Sequence, residues 1–195
     1  MALTDKYFDT YAWDPKYPDR TYEATWRAYG FHVFQHYLED LQDCNIPYPE
    51  NVLDVGAANG RVIEELINRY GIDAYGIEQS QYMYNKAAPE TRKRIQLGDA
   101  TELIRDIPSG KYACAYETVG QYLPKEKLAA YLAQLRRVVT LDVVLLVSTS
   151  DMTSKPHHEQ VIFESDEFWI RAFARAGFRS AGNPDYSPYW FQRID

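Results

Sequence analysis

Residues 51–60 read Asn-Val-Leu-Asp-Val-Gly-Ala-Ala-Asn-Gly, a β-rich run followed by two glycines four positions apart. This pattern fits a strand that turns sharply into a helix. In an open α/β sheet such a turn lies outside the carboxyl ends of the strands, where ligands bind. Gly56 permits a tight turn with positive φ and close backbone approach. Gly60 lets the chain enter the helix without a side chain over the site. Asp54, at the end of the strand, is placed to accept hydrogen bonds from a cationic amino group. A dinucleotide turn has the spacing G-x-G-x-x-G and binds a pyrophosphate at the helix N-terminus. The wider spacing here, with a carboxylate two residues before the first glycine, suits a zwitterionic or cationic ligand instead.

Strand and helix patterns then alternate. Strands are predicted at Val52–Val55, Ala74–Ile77, Arg94–Leu97, Tyr112–Tyr116 and Val138–Ser148, and helices at Gly60–Tyr70, Gln79–Thr91, Glu102–Asp106, Lys125–Arg137 and Ser165–Ala176. That alternation predicts right-handed crossovers and a parallel sheet. The tail, Pro188 to Ile194, follows an Asn183-Pro184 turn and is expected to join the sheet antiparallel. Before the core, residues 1–20 form an aperiodic arm. From Thr21 to Leu41 apolar and aromatic positions recur at helical spacing (Tyr22, Trp26, Tyr29, Val33, Tyr37, Leu41), with Pro47 and Pro49 ending the helix. One domain is expected over 1–195: an arm and helix at 1–45, which is a candidate lid, and a ligand-binding core at 50–195.

Composition narrows the partners. The net charge of −7 disfavours nucleic acid, since an acidic chain gains nothing from counterion release on a phosphate backbone. No run approaches the roughly 18 apolar residues of a membrane span, and no charged-then-apolar leader opens the sequence. Two cysteines, Cys44 and Cys114, cannot make a disulfide framework or a four-thiolate zinc site, so a cytoplasmic location is expected. His32 and His36 stand four apart on a helix at a metal-compatible spacing, but no third ligand is identifiable nearby and no metal is expected. The sequence does not set the oligomeric state.

Two more acids stand at strand ends. Glu78 follows the second strand, 22 residues after Gly56, and is placed to take both hydroxyls of a ribose. Asp99, with Ala100 after the third strand, is placed to read an adenine through its exocyclic amine, although Gly98-Asp99 is also an ordinary turn.

In order, Asp-Val-Gly-Ala-Ala-Asn-Gly60, Gly-Ile-Glu-Gln-Ser80, Leu-Gly-Asp-Ala100 and Tyr-Glu-Thr-Val-Gly-Gln-Tyr-Leu-Pro124 resemble the successive motifs of class I S-adenosylmethionine-dependent methyltransferases. The resemblance runs from about Val52 to Phe178. It implies a Rossmann-like, seven-stranded, mostly parallel sheet with an antiparallel last strand, helices on both faces and an extra N-terminal helix. It implies S-adenosyl-L-methionine as cofactor and S-adenosyl-L-homocysteine as product. Asp54, Gly56 and Gly60 would hold the methionine end, Glu78 the ribose, and Asp99 with Ala100 the adenine; Ala57, Ala58 and Gln79 complete the cofactor-binding set. The family turn is acid-x-G-x-G-x-G, and here Ala58 replaces the middle glycine.

Methyl transfer is an in-line displacement that needs an aligned nucleophile and, for a hydroxyl acceptor, a base. The segment His157–Phe178 is similar to one in small-molecule and sugar O-methyltransferases, where a histidine precedes an aromatic helix. His157 and His158 are therefore candidate bases, and Glu117, at the end of the fourth strand, is a third catalytic candidate. Tyr122 stands where quinone-methylating relatives carry histidine; it and Tyr22 are candidates for touching the acceptor. The Pro-Pro-aromatic segment of amino-directed nucleic-acid methylases is absent after the fourth strand, leaving a small metabolite or sugar as the expected acceptor. The competing expectation is a protein of this fold that binds the cofactor without turnover.

Overall fold

The computed structural model of the protein describes residues 31–147, 149–150, 160–181 and 190–194. Helix α1 (His32–Asp43) leads into β1 (Asn51–Val55), α2 (Arg61–Tyr70), β2 (Asp73–Glu78), α3 (Gln81–Lys86), α4 (Pro89–Arg92), β3 (Ile95–Leu97), α5 (Ala100–Asp106) and β4 (Tyr112–Glu117). A 3₁₀ turn (Gly120–Tyr122), α6 (Lys125–Val138), β5 (Val139–Leu145), α7 (Asp166–Arg175), β6 (Phe178–Ser180) and β7 (Trp190–Arg193) follow. The seven strands form one sheet in the order β3-β2-β1-β4-β5-β7-β6. Strands β1 to β5 pair in parallel, and β7 runs antiparallel between β5 and β6. This is the expected doubly wound sheet with an antiparallel last strand. Strand order reverses between β1 and β4, so the cleft outside their carboxyl ends is the place for a ligand.

Successive residues of a strand face opposite sides of the sheet, and both sides are buried. Phe34, Leu38 and Leu41 of α1 and Val62, Ile63 and Leu66 of α2 pack over Val52, Ala74, Cys114, Tyr116 and Val144. On the other side, Ile104, Leu128, Leu132, Leu135, Trp169 and Phe173 from α5, α6 and α7 cover Leu53, Val55, Ala115, Val143 and Leu145. Burial on both faces explains why β4 and β5 read as apolar runs rather than alternating ones. Among the described residues, no helix is long and apolar enough to cross a membrane.

Several boundaries differ from the sequence expectation, each for a local reason. The helix expected over Gln79–Thr91 is two helices. Pro89 opens α4 at its first position and holds Ala88 extended at φ −55°, ψ 147°, as the residue before proline must be. Helix α1 stops before either proline: Asn45 takes φ 55°, and the amides of Asn45 and Ile46 donate to Gln42 O and Leu41 O in a Schellman closure. Val138 ends α6 instead of beginning β5. The aperiodic arm, the earlier part of the expected N-terminal helix with Tyr22, and the Asn183-Pro184 turn lie outside the described residues.

The aromatic face of α1 packs on the sheet. Tyr37 and Leu41 are buried at the expected spacing, and Phe34 and Leu38 on the same face are fully covered. Asp142, which interrupts the apolar run of β5, explains the tyrosine: Tyr37 donates its hydroxyl to buried Asp142 Oδ2 at 2.8 Å. Burial, then Cys114 and Asp142, pushes the Tyr37 hydroxyl upward, so it stays protonated and remains a donor. Tyr37→Phe removes the donor and leaves that carboxylate oxygen unpaired. The expected cost is about 1–3 kcal/mol, read by urea unfolding. Loss of less than about 0.5 kcal/mol would show that the bond contributes little.

Candidate functional site

The turn after β1 has the geometry its glycines require. Gly56 sits at φ 90°, and Gly60, the residue capping α2, at φ 77°. A Cβ on Gly56 would fall 2.3 Å from Thr118 Oγ1, and one on Gly60 would fall 2.4 Å from Thr91 Cγ2. The backbone amides of the turn face inward. Gly56 N and Ala57 N donate to Ile77 O, Ala58 N donates to Glu78 Oε2 at 2.7 Å, and Gly60 N donates to Ala57 O. These four N–H groups are therefore not free to build a phosphate-binding nest, which agrees with the glycine spacing against a dinucleotide.

Ala58 occupies the left-handed region at φ 48°. An L-residue there carries about 1–2 kcal/mol of strain, and the family glycine would carry none. Ala58→Gly also loosens the unfolded chain, an opposing term of about 0.4–1 kcal/mol. The expected net is a gain of about 0.5 kcal/mol, seen as a small rise in Tm. A fall in Tm of several degrees would mean that the alanine methyl packs usefully.

Two carboxylates meet beside this turn. Asp54, one residue from the end of β1, is 1% exposed, and its Oδ2 has no hydrogen-bond partner. Burial, reinforced by Glu78, pushes its carboxyl up to about 8. Glu78 ends β2, is buried, and accepts from Ser80 N at 2.6 Å through Oε1 as well as from Ala58 N through Oε2. Burial raises its carboxyl too, with the amides of Ser80, Ala58 and Gln79 opposing. Each Glu78 oxygen keeps a second lone pair for a hydroxyl. A fixed acceptor pair beside an unpartnered acid fits a nucleoside that carries an amino group. S-adenosylmethionine has both, and these residues suit it: Asp54 for the ammonium and Glu78 for the ribose.

The remaining expected cofactor residues divide. Ala57 and Ala58 are buried in the turn, while Gln79 is exposed just beyond Glu78. Asp99 caps α5, its Oδ1 accepting from Thr101 N and Thr101 Oγ1, both at 2.7 Å. Burial acts against the charged form, but those bonds win and hold the Asp99 carboxyl below its usual range. The ordinary-turn role is thus present, with Ala100 buried as the first residue of the helix.

Across the switch point, Glu117 ends β4 fully buried. Its Oε1 accepts from Val119 N, Gly120 N and Tyr131 Oη at 2.7, 2.7 and 2.9 Å. Its Oε2 has no partner. Burial pushes its carboxyl up to about 7, against those three donors. The acid is therefore tucked beneath the 3₁₀ turn that carries Tyr122, which is half-buried. Thr118, between Glu117 and that turn, donates its hydroxyl to Val55 O at 2.8 Å and so ties the ends of β4 and β1 together.

His157 and His158 lie outside the described residues, as does Tyr22. The positions flanking that segment are fixed at the same end of the sheet. Ser150 N donates to Glu164 O, and Val161 N and Ile162 N donate to Gln121 O in the 3₁₀ turn. Three contributors escaped the sequence reading: Ser80, Thr118 and Tyr131. Only Ser80 had a visible signal, as the helix cap after Glu78.

A family model described as a methyltransferase domain matches residues 52–142. Spermine synthase of Arabidopsis thaliana is 32% identical over 91 residues, 41% of this chain and 25% of that protein. The chain thus spans about a quarter of the length of the curated relative it matches. Among solved structures, a chain of the complex between the Haloferax volcanii Trm112 methyltransferase activator and a methyltransferase aligns with a TM-score of 0.62 at 16% identity, covering 81% of this chain and 72% of that one. Magnesium protoporphyrin IX methyltransferase from Synechocystis PCC 6803 with bound SAH aligns at 0.59 and 17% identity, covering 83% and 82%. These structural likenesses concern the fold.

Proposed function

We propose, from the premise that residues 52–142 are a class I S-adenosylmethionine-dependent methyltransferase domain, that this chain is an enzyme moving the methyl group of S-adenosyl-L-methionine to an oxygen or nitrogen of a small molecule. The observation that carries the reading is the buried, unpartnered Asp54 carboxylate beside amide-clamped Glu78. When bound, the cofactor supplies an electrophilic methyl on a sulfonium. Asp54 holds the ammonium in its ionised form. Glu78, held in one orientation by Ala58 N and Ser80 N, accepts the ribose hydroxyls. The amides of the glycine turn, already satisfied, keep the backbone rigid against the ligand.

The acceptor is aligned at the carboxyl ends of β4 and β5. A neutral His157 or His158 takes its proton when the acceptor is a hydroxyl; an amine acceptor loses its proton after transfer. Glu117 supports the floor beneath Tyr122 and, with a carboxyl near 7, is a second group able to take a proton at neutral pH. The net charge of −7 supports a small metabolite or sugar-like acceptor over nucleic acid.

Calorimetry with S-adenosylmethionine and S-adenosylhomocysteine tests the cofactor reading, and binding of neither overturns it. Labelled-methyl transfer across a panel of hydroxyl and amine metabolites tests turnover. A second reading, cofactor binding without turnover, is favoured by one observation: the acid nearest the acceptor region, Glu117, already has three donors on one oxygen. Binding without product across the panel supports that reading.

A further inference from the structure

The two histidines of α1 are outside the cleft and serve nothing described above, yet their arrangement is specific. His32 and His36 lie one turn apart on the outer face of the helix, with ring centroids 4.1 Å apart. Their Nε2 atoms are 2.9 Å apart. His36 Nδ1 is 3.1 Å from Glu39 Oε2, and Gln35 Nε2 donates to Glu39 Oε1 at 2.7 Å. The side chains of His36 and Glu39 are 36% and 48% exposed, so an ion can reach them from solvent.

The bonds fix the tautomer. A carboxylate only accepts, so the His36 proton sits on Nδ1 and points at Glu39, leaving the Nε2 lone pair facing His32. An acid that orients a histidine through its far nitrogen is the outer-shell arrangement that metal-binding histidines use. Gln35 in turn holds the acid. His32 Nε2–H donates to the Nε2 lone pair of His36, and an ion held by both Nε2 atoms would take the place of this proton, which moves to His32 Nδ1.

We propose that His32 and His36 form a two-imidazole site for a divalent late transition-metal ion, with Glu39 positioning His36. The spacing indicates which ion. With metal–nitrogen bonds of about 2.0–2.1 Å, two imidazoles at a right angle place their nitrogens about 2.9 Å apart, and a tetrahedral angle places them about 3.3 Å apart. The 2.9 Å of the His32–His36 hydrogen bond already equals the right-angle separation, so square-planar or tetragonal Cu2+ or Ni2+ could replace the shared proton with the least movement of the two rings. Among the described residues no group of three or more His, Cys, Asp or Glu surrounds this or any other point. With two imidazoles as its protein ligands, the proposed site takes its remaining ligands from solvent and is of the exchangeable kind.

The test is a Cu2+ titration of the full chain, followed by electron paramagnetic resonance, with Ni2+ calorimetry in parallel. The expected spectrum shows two equatorial nitrogens at one equivalent of Cu2+. His32→Ala and His36→Ala each weaken binding at least thirtyfold and reduce the spectrum to a single equatorial nitrogen. Glu39→Gln weakens binding about tenfold but keeps two nitrogens in the spectrum, which a ligand's loss would not do. A His157→Ala, His158→Ala double variant retains the signal. The proposal is overturned if the His32 and His36 variants bind as wild type does, or if the signal disappears in the His157, His158 variant. Circular dichroism of each variant confirms that helix α1 is intact.

Discussion

Asp54→Asn is expected to cut the affinity for S-adenosylmethionine by about 30- to 1,000-fold, or about 2–4 kcal/mol, while making the ligand-free protein more stable. The two effects have one cause. The carboxyl is buried with Oδ2 unpartnered, and burial with the nearby Glu78 holds it up to about 8. An asparagine there carries no ionisable group, so the free protein gains at least about 1 kcal/mol. With ligand, the same position must be ionised to face an ammonium, and the amide offers only a weaker neutral acceptor. Comparing isothermal titration with the melting temperature of the apo protein separates the terms. A variant with weaker binding and a lower Tm would indicate that Asp54 is a structural acid.

The raised carboxyl also has a signature in pH. A group whose folded value lies above its unfolded value stabilises the fold at low pH, and that contribution is lost as pH rises through the folded value. For Asp54, with an ordinary value of 3.8, the window runs from about 4 to about 8. Stability of the apo protein therefore falls across it, by no more than about 1.4 kcal/mol per pH unit. Glu117 adds to the fall between its ordinary 4.5 and about 7. In the proposed binding mode Asp54 is ionised, so at pH 7, where a carboxyl held up to about 8 is about nine-tenths protonated, each cofactor bound is expected to release close to one proton. Titrations in buffers of different ionisation heat measure that release directly, and Asp54→Asn should abolish it.

How much of this was legible from the residues follows from the range of the forces involved. Strands and helices announce themselves through local periodicity, so the order of elements and the ligand end of the sheet could be read in advance. The acids Asp54 and Glu78 were legible because their positions at strand ends are a matter of counting. Strand β6 was not, since Phe178–Ser180 is too short for any period and exists because β7 pairs with it. The break at Pro89 was a local signal that helical spacing on either side concealed. Asp142 looked like a flaw in an apolar strand because its partner, Tyr37, is 105 residues away. Glu117 shows the same limit: its place at the end of β4 was predictable, but its engagement with Tyr131 depends on how α6 packs. Contacts between distant elements are set by packing, and one sequence does not display them.

The contact between Gly56 and Thr118 is such a case, and it gives the second large effect. Gly56→Ala must hold alanine at φ 90° and place its Cβ 2.3 Å from Thr118 Oγ1 and 3.0 Å from Val119 Cγ2. The conformation alone costs about 1–2 kcal/mol, and the clash adds to it. Both neighbours are β-branched and stiff at χ1, and the Thr118 hydroxyl is committed to Val55 O. The expected loss is about 3–4 kcal/mol of stability, together with a loss of cofactor binding because the turn must shift. Thr118→Ala removes the clashing oxygen and one bond, and alone should cost about 1 kcal/mol. In the double variant the clash with the Thr118 hydroxyl is gone, while the tight contact with Val119 Cγ2 and the conformational strain remain, so it should be more stable than Gly56→Ala alone. A favourable coupling of about 1–2 kcal/mol is expected from the double-mutant cycle. Simple additivity would place the whole cost in the backbone of Gly56, whereas the expected coupling makes the turn and the end of β4 one packed unit, so that the first glycine fixes both the ligand's approach and the join between β1 and β4.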